Sequence, residues 1–551
     1  MTIEQMKQAT FPKANFENWQ EEAVRTLKGK PYEQLITPTF EGIDLEPLYT
    51  AEHLHKTLNH SAVISHAKKE STWLVAQTTN AGSASEFLHK AKEQLNLGND
   101  MIVYKATVPS WAWSATEIED LAELLNSHPF HLSIKDSDDQ IMQVFDRMSQ
   151  QQLDELNGYI EGPVSVQSLS RNISTSAIHY AGGTAVHELA YALLALSKQA
   201  EEQAELTKVA TQFEIDTNFF MEIAKLRAFR VLWKAFSSAY NQKEEAINVI
   251  ANTSLRSYSQ LDPTVNLLRA GNAAFSAVLG GADILSVSPH DALTGTSPTS
   301  ERIARNVQLV IREETMVNKM IDPSAGSFYV ESLTADLVRQ SWDLFLKTLD
   351  MNPAEQEDYL MSLAKNVHSS RIQAIAKRKA SLIGTNVYAN PSDSIVTTDT
   401  AKEYGRLAVP FEQLRKHFGE FPLQTAVVSF GVLKDVKPRA DFVQGFLQAG
   451  GLNPVMSPVF SDAQSAWHWV KSNQMEYVVC AAKDEMTNEI LPQFLNIADQ
   501  QTIIDVAGRH TEENKWREQG LNGSIFASQD VIAKMQQLID VKKNGGHGNE
   551  A

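Results

Sequence analysis

Few positions in this chain carry residue types at spacings that could support catalysis. The run His187-Glu188-Leu189-Ala190-Tyr191 opens as a zinc-binding helix does, with histidine and glutamate in succession. Such a metal needs a second histidine one turn later, and Tyr191 stands there, so His187 reads as a histidine on a helix surface. Cys480 ends an apolar run, where a thiol is buried and inert rather than nucleophilic. Leu279-Gly280-Gly281-Ala282-Asp283 is not a phosphate-cradling glycine loop and reads as a helix C-cap leading into a strand. Asn172-Ile-Ser and Asn252-Thr-Ser fit the glycosylation pattern, which a cytosolic chain never uses. No cluster of titratable residues is legible at strand ends, which argues against a barrel enzyme with its own chemistry. One stretch raises a sharper question. Residues 429–442, SFGVLKDVKPRADF, lie where a strand runs into a helix, the place where an open α/β sheet grips a cofactor.

The composition narrows the partners. With 49 Lys+Arg against 67 Asp+Glu, the net charge of −18 repels nucleic acid and anionic membranes. A single cysteine excludes a disulfide framework and any multi-cysteine zinc or iron–sulfur site. The N-terminus lacks the apolar core of a signal peptide, and no run of about 18 apolar residues occurs, so the chain reads as cytoplasmic.

Two stretches of β/α alternation must position whatever chemistry exists. The first predicts strands at 71–77, 100–107, 130–135, 162–168, 175–181, 246–252, 282–289 and 318–323, separated by helices such as 83–95, 139–156, 219–236 and 300–314. Eight is the number that closes a (β/α)8 TIM barrel. Residues 366–420, with a basic stretch and a Pro/Asn/Ser-rich segment, read as a linker. A second alternation, with strands at 425–431, 453–460, 476–482, 501–508 and 523–528, reads as a flavodoxin-like, doubly wound domain. The expected organisation is an arm (1–50), a barrel (51–365), a linker (366–420) and a second α/β domain (421–545).

Longer phrases carry a resemblance. YEQLITPTFEGIDLEPLYT (32–50), EIDTNFFMEIAKLRAFRVLW (214–233), NTSLRSYSQLDPTVNLLRA (252–270), SERIARNVQLVIREE (300–314) and IDPSAGSFYVESLT (321–334) occur in the order found in the adenosylcobalamin-dependent acyl-CoA mutases. Together with the C-terminal βα domain they span residues 30 to 541, and the chain resembles the methylmalonyl-CoA mutase family. The resemblance implies a subunit-contact arm, a barrel threaded by a CoA ester and a C-terminal domain that holds cobalamin over it. There the cofactor supplies radical chemistry, and the protein supplies placement and exclusion of water.

The resemblance also marks departures. The family's Asp-x-His-x-x-Gly, whose histidine ligates cobalt, falls on Leu433, Asp435 and Pro438. Its later Ser-x-Leu falls on Cys480, Ala481 and Ala482, and its paired glycines on Ala507 and Gly508. Counting back from the helix that begins GGTAVHELAY places the barrel's Tyr-His pair on Ser176 and Ala177, with His179 and Tyr180 just beyond. Read as a strand, Ser176 and Tyr180 share one face and Ala177 and His179 the other. The active-member glutamine before Asp-Pro is Leu261, and the Trp-Gly-Gly after the later Asp-Pro is Ser324-Ala325-Gly326. The segment ahead of the first barrel strand, 59–75, lacks the Arg/Tyr-rich residues that hold the CoA ester.

These departures imply a chain with no catalytic, cofactor-binding or metal residues of its own. The expectation is the small (β) subunit of a heterodimer whose large (α) catalytic subunit holds adenosylcobalamin, with Phe11, Phe16, Trp19, Tyr32 and Phe40 of the arm as interface anchors. The alternatives are an active cobalamin-dependent mutase on another acyl-CoA and an assembly factor for a mutase.

Overall fold

A computed structural model describes the chain apart from residues 1, 9–14, 57–59, 69, 107–109, 203–205, 207, 243–245, 397–403 and 547–551. Eight short parallel strands form the first sheet: β1 (Leu74–Val75), β2 (Ile102–Lys105), β3 (Phe130–Ser133), β4 (Gly158–Glu161), β5 (Ser170–Ser174), β6 (Val209–Ile215), β7 (Asn248–Thr253) and β8 (Ile284–Ser286). Their order is β1-β8-β7-β6-β5-β4-β3-β2. The sheet curls until its ends meet, where Asp100 N donates to Val75 O at 2.9 Å and Thr79 N to Val103 O at 3.2 Å. The result is the expected (β/α)8 architecture, whose helices cover the outer face with two apolar clusters.

Several strands differ from expectation. The run 162–168 is a loop, and the strand before it is Gly158–Glu161. Residues 175–181 hold not a strand but the short helix Ser176–Tyr180, which follows β5. Residues 318–323 form no strand, whereas Val209–Ile215, unread in the sequence, is the longest strand of the barrel and is buried along its whole length. The count of eight therefore stands on a different set of residues. The expected helix 139–156 is divided at Met148 into a 3-10 helix, Gln140–Arg147, and a short α-helix, Gln150–Glu155, which Ser149 caps. Leu279-Gly280-Gly281 does end a helix and turn into β8, with Gly281 at φ +88°, where a side chain would strain the backbone.

The helix Gln356–Ala376 runs across the expected barrel–linker boundary. The second sheet contains β9 (Thr425–Phe430), β10 (Val455–Phe460), β11 (Tyr477–Ala481), β12 (Ile503–Ala507) and β13 (Gly523–Ile525), all parallel in the order β10-β9-β11-β12-β13. This is the flavodoxin-like order, with a switch point between β9 and β11. The two halves share a core: Leu261, from the loop after β7, is fully buried in the cluster that contains Leu407, Phe411, Val427 and Val443.

The arm is less enclosed. Its helix Phe16–Thr26 is capped reciprocally by Asn15 and Asn18, and none of its residues is buried. Phe16 packs against Trp19 and His53, the Tyr32 hydroxyl donates to Glu46 at 2.8 Å, and Phe40 is exposed beneath the guanidinium of Arg371. Phe11 lies outside the described residues. Among the described residues no helix is long and apolar enough to cross a membrane.

Candidate functional site

Two places merit inspection, because barrels and open α/β sheets both put ligands at the carboxyl ends of their strands. In the barrel, residues alternate inward and outward along each strand. The lower lumen is apolar, filled by Ala76, Met101, Val103, Tyr159, Ala210, Ile250 and Ile284. Above it the inward side chains turn polar. Asn172 Nδ2 donates to Gln212 Oε1 at 3.0 Å, the Ser176 hydroxyl donates to Glu214 at 2.6 Å, and the Tyr180 hydroxyl donates to the other Glu214 oxygen at 2.9 Å. Burial, reinforced by the nearby Lys105 ammonium, lowers the pKa of His131 to about 3, so its ring is neutral. Burial pushes Glu161 up. Gln212, His131 and Glu161, with Lys105 and Asn252, line a cavity of about 20 Å³, space for about one water and far too little for a thioester chain.

Behind this layer lies a buried cluster of charged groups, contrary to the expectation that none gathers at the strand ends. His179 Nδ1 lies 2.8 Å from Glu188, and its Nε2 2.7 Å from the hydroxyl of Ser254. Lys225 reaches Glu188 at 3.1 Å, Glu222 at 2.6 Å and the Glu214 carbonyl at 2.6 Å. Arg256 pairs with Asp216 at 2.7 Å and donates to the carbonyls of His179 and Gly183, while the Ser257 hydroxyl also donates to Asp216. All of these groups are buried.

The charges balance within the cluster. Burial opposes ionisation of Glu188, but Lys225 and His179 outweigh it and hold the carboxyl down at about 2. Burial likewise opposes the charge on Asp216, and Arg256 holds it well below the usual range. Lys225 and Arg256 are then matched by Glu188 and Asp216, and burial pushes the third carboxyl, Glu222, up to about 7 despite Lys225. Burial, with the charge of Arg256, lowers His179 and keeps it neutral.

Ser254, His179 and Glu188 therefore have the connectivity of a nucleophile, base and carboxylate. Burial argues for a structural role instead. Ser254 is 4% exposed, its hydroxyl also accepts from the Arg256 amide at 3.0 Å, and Glu188 is already committed to Lys225.

The expected family positions sit around this cluster. Ser176 and Tyr180 share a face as expected, although through the i, i+4 spacing of a helix, and both reach Glu214. Ala177 is exposed and His179 is fully buried, so those two do not share a face. His187 is half-buried rather than on the surface, and burial together with Arg371 lowers its pKa to about 4. Ser324-Ala325-Gly326 forms a turn, with Gly326 at φ +79° donating its N–H to Glu331.

The second place is the carboxyl edge of the five-stranded sheet. Only Gly431 and Val432 separate β9 from the helix Leu433–Ala449, so Leu433, Asp435 and Pro438 lie on the first two turns of a helix and not on a loop. Leu433 is 61% exposed, and the Asp435 carboxylate is engaged by Lys483 at 2.8 Å. Arg439 crosses the edge, donating to the Ala482 carbonyl and to Asp484 at 2.9 Å. Cys480, Ala481 and Ala507 are buried strand residues, Ala482 is buried just past the end of β11, and burial raises the Cys480 thiol. Gly508 has φ +106°. Cobalt bound from below needs an imidazole or another free donor on this edge, whereas these positions offer an alkyl group, an ion-paired carboxylate and a proline. These three positions do not fit the cobalt ligation that the resemblance implies for the family. Among the described residues no group of three or more His, Cys, Asp or Glu could hold a metal ion.

Comparison with known proteins adds a lineage to this geometry. Residues 153–417 match the methylmalonyl-CoA mutase family. The chain is 25% identical over 603 aligned positions to a methylmalonyl-CoA mutase small subunit of Porphyromonas gingivalis, covering 96% of this chain and 97% of that one. It is 31% identical over 303 positions to a probable methylmalonyl-CoA mutase small subunit of Mycobacterium tuberculosis, covering 51% of this chain and 49% of the relative. A methylmalonyl-CoA mutase large subunit, also of Porphyromonas gingivalis, is 32% identical over 313 positions, with 53% of this chain and 43% of that relative covered.

Proposed function

The chain belongs to the methylmalonyl-CoA mutase family, and we propose that it serves there as a non-catalytic small (β) subunit. Its partner is a large (α) subunit that holds adenosylcobalamin, and the heterodimer interconverts (R)-methylmalonyl-CoA and succinyl-CoA in the cytoplasm. The observation that carries this reading is the filled barrel. The cavity among His131, Glu161, Gln212 and Asn252 holds about 20 Å³, too little for an acyl-CoA ester, although the fold that would thread one is intact. The sheet edge supports it, because Leu433, Asp435 and Pro438 supply no free cobalt ligand.

In this role the barrel and the second domain act as a scaffold, and the arm, residues 1–50, wraps the partner. The helix Phe16–Thr26, with no buried residue of its own, gains its apolar neighbours from that contact. The test is reconstitution. The chain and a candidate large subunit are purified separately, and turnover of methylmalonyl-CoA is measured for each alone and for the mixture. The reading predicts a stable 1:1 complex and no turnover by this chain alone. Turnover by this chain alone would overturn it.

A further inference from the structure

A short segment of the linker crosses the carboxyl end of the barrel. Tyr404 sets its ring against Tyr180 at 5.1 Å, edge to face, and Tyr180 in turn holds Glu214. Gly405 follows at φ +50°, so close to the barrel that a Cβ there would lie 2.0 Å from the Tyr180 carbonyl oxygen. Leu407 N donates to the Arg256 carbonyl at 3.0 Å, which adds a backbone bond to the loop after β7. Arg406, fully buried, grips Glu412 with two bonds of 2.7 and 2.6 Å and donates to the Tyr258 carbonyl, while the amide of Gln260 donates to the same carboxylate at 2.9 Å. The segment is thus fixed to the connections after both β5 and β7, the same two that supply His179 and Ser254.

We propose that Tyr404–Leu407 is a closed strap that seals this side of the barrel, and that Gly405 is the residue that lets it close. The closest approach in the strap leaves no space for any side chain, and the contact is to backbone, which cannot rotate away as a side chain could. Adding one methyl at Gly405 therefore lifts the strap from Tyr180 while leaving the Arg406–Glu412 fork and the buried Leu407 in place. The inference rests on these contacts alone and holds whether or not the chain is a mutase subunit.

The experiment uses the full-length chain with a thiol reporter, Ser254→Cys. The same thiol is compared before and after the strap is loosened, so a change in its labelling rate reports shielding. The natural Cys480, buried in the other sheet, serves as an internal monitor of unfolding. Labelling by a water-soluble aromatic disulfide is followed site by site by peptide mass spectrometry, for Ser254→Cys alone and for Ser254→Cys with Gly405→Ala. A Tyr404→Ala version gives a second way of loosening the strap. The strap predicts labelling at position 254 about tenfold faster or more in both loosened variants, with Cys480 unchanged. Equal labelling with and without the loosening substitutions overturns the proposal. Parallel acceleration at Cys480 overturns it as well, because Gly405 would then support the whole fold rather than this closure.

Discussion

The carboxyl end of the barrel and the carboxyl edge of the five-stranded sheet are the two places where these folds ordinarily bind ligands, and they are occupied in opposite ways. The barrel end is crowded with ionisable groups, yet each finds its counterpart inside the protein: Lys225 with Glu188 and Glu222, Arg256 with Asp216, His179 with Ser254. The ion pairs at the sheet edge are instead partly exposed, as in the Asp435–Lys483 and Arg439–Asp484 pairs. Polar groups thus satisfy one another out of reach of water at the one place and in contact with it at the other. The first case leaves a rigid, costly-to-disturb cluster, the second a surface that tolerates change.

Substitutions sharpen that contrast. Lys225→Met removes the cation between two buried carboxyls and is expected to cost ~3–5 kcal/mol in urea denaturation, by the usual penalty for stranding a buried charge. A cost below about 1 kcal/mol would mean that the cluster is not held by its charge balance. Leu261→Gln puts an amide into the core shared by the barrel and the second domain, and a loss of ~2–4 kcal/mol is expected if that joint is as dry as its burial indicates. An unchanged denaturation midpoint would place the joint in contact with water.

A pH series tests the barrel cluster in a different way. Glu222 titrates at about 7 in the fold against an unfolded value near 4.5, so the folded chain keeps a proton that the unfolded chain loses. Its contribution therefore favours the fold at low pH and is lost as pH rises from about 4.5 to 7. Glu188 and Asp216 are shifted the other way, so their contribution is present above about pH 4 and is lost as pH falls below it. Stability is expected to peak in mildly acidic solution. Glu222→Gln should flatten the alkaline side, with a gain over the natural chain on the order of 2 kcal/mol at pH 8 and little change at pH 5. Parallel pH profiles for the two proteins would show that Glu222 is ionised throughout. At the sheet edge, Asp435→Ala should shift stability by less than ~0.5 kcal/mol, since it breaks only a solvent-exposed ion pair.

The sequence conveyed architecture better than positions. The βα alternation was legible because apolar runs and capped helices repeat at the right intervals. Val209–Ile215 escaped because Gln212 and Glu214 point into a polar lumen, so a fully buried strand carries the alternation of a surface one. The run from Ser176 to Tyr180 was read with a period of two when its real period is that of a helix, and both place the first and last residues together. The charged cluster was hidden for another reason. Its members come from four separate stretches, around residues 179–188, 214–216, 222–225 and 254–257, and only the fold brings them together. The Glu188–Lys225 pair has no local signature. At the sheet edge the replaced residue types were plain in the sequence. That the helix starts at Leu433, with only two residues between it and the strand, was not, because Pro438 reads as a loop residue and here stands inside a helix.

The most direct measurement is an absorbance titration of the purified chain with adenosylcobalamin, repeated in the presence of the large subunit. The account predicts an unchanged cofactor spectrum with this chain alone, and a shift in the mixture that saturates at one cofactor per heterodimer. A saturable spectral shift with this chain alone would contradict it.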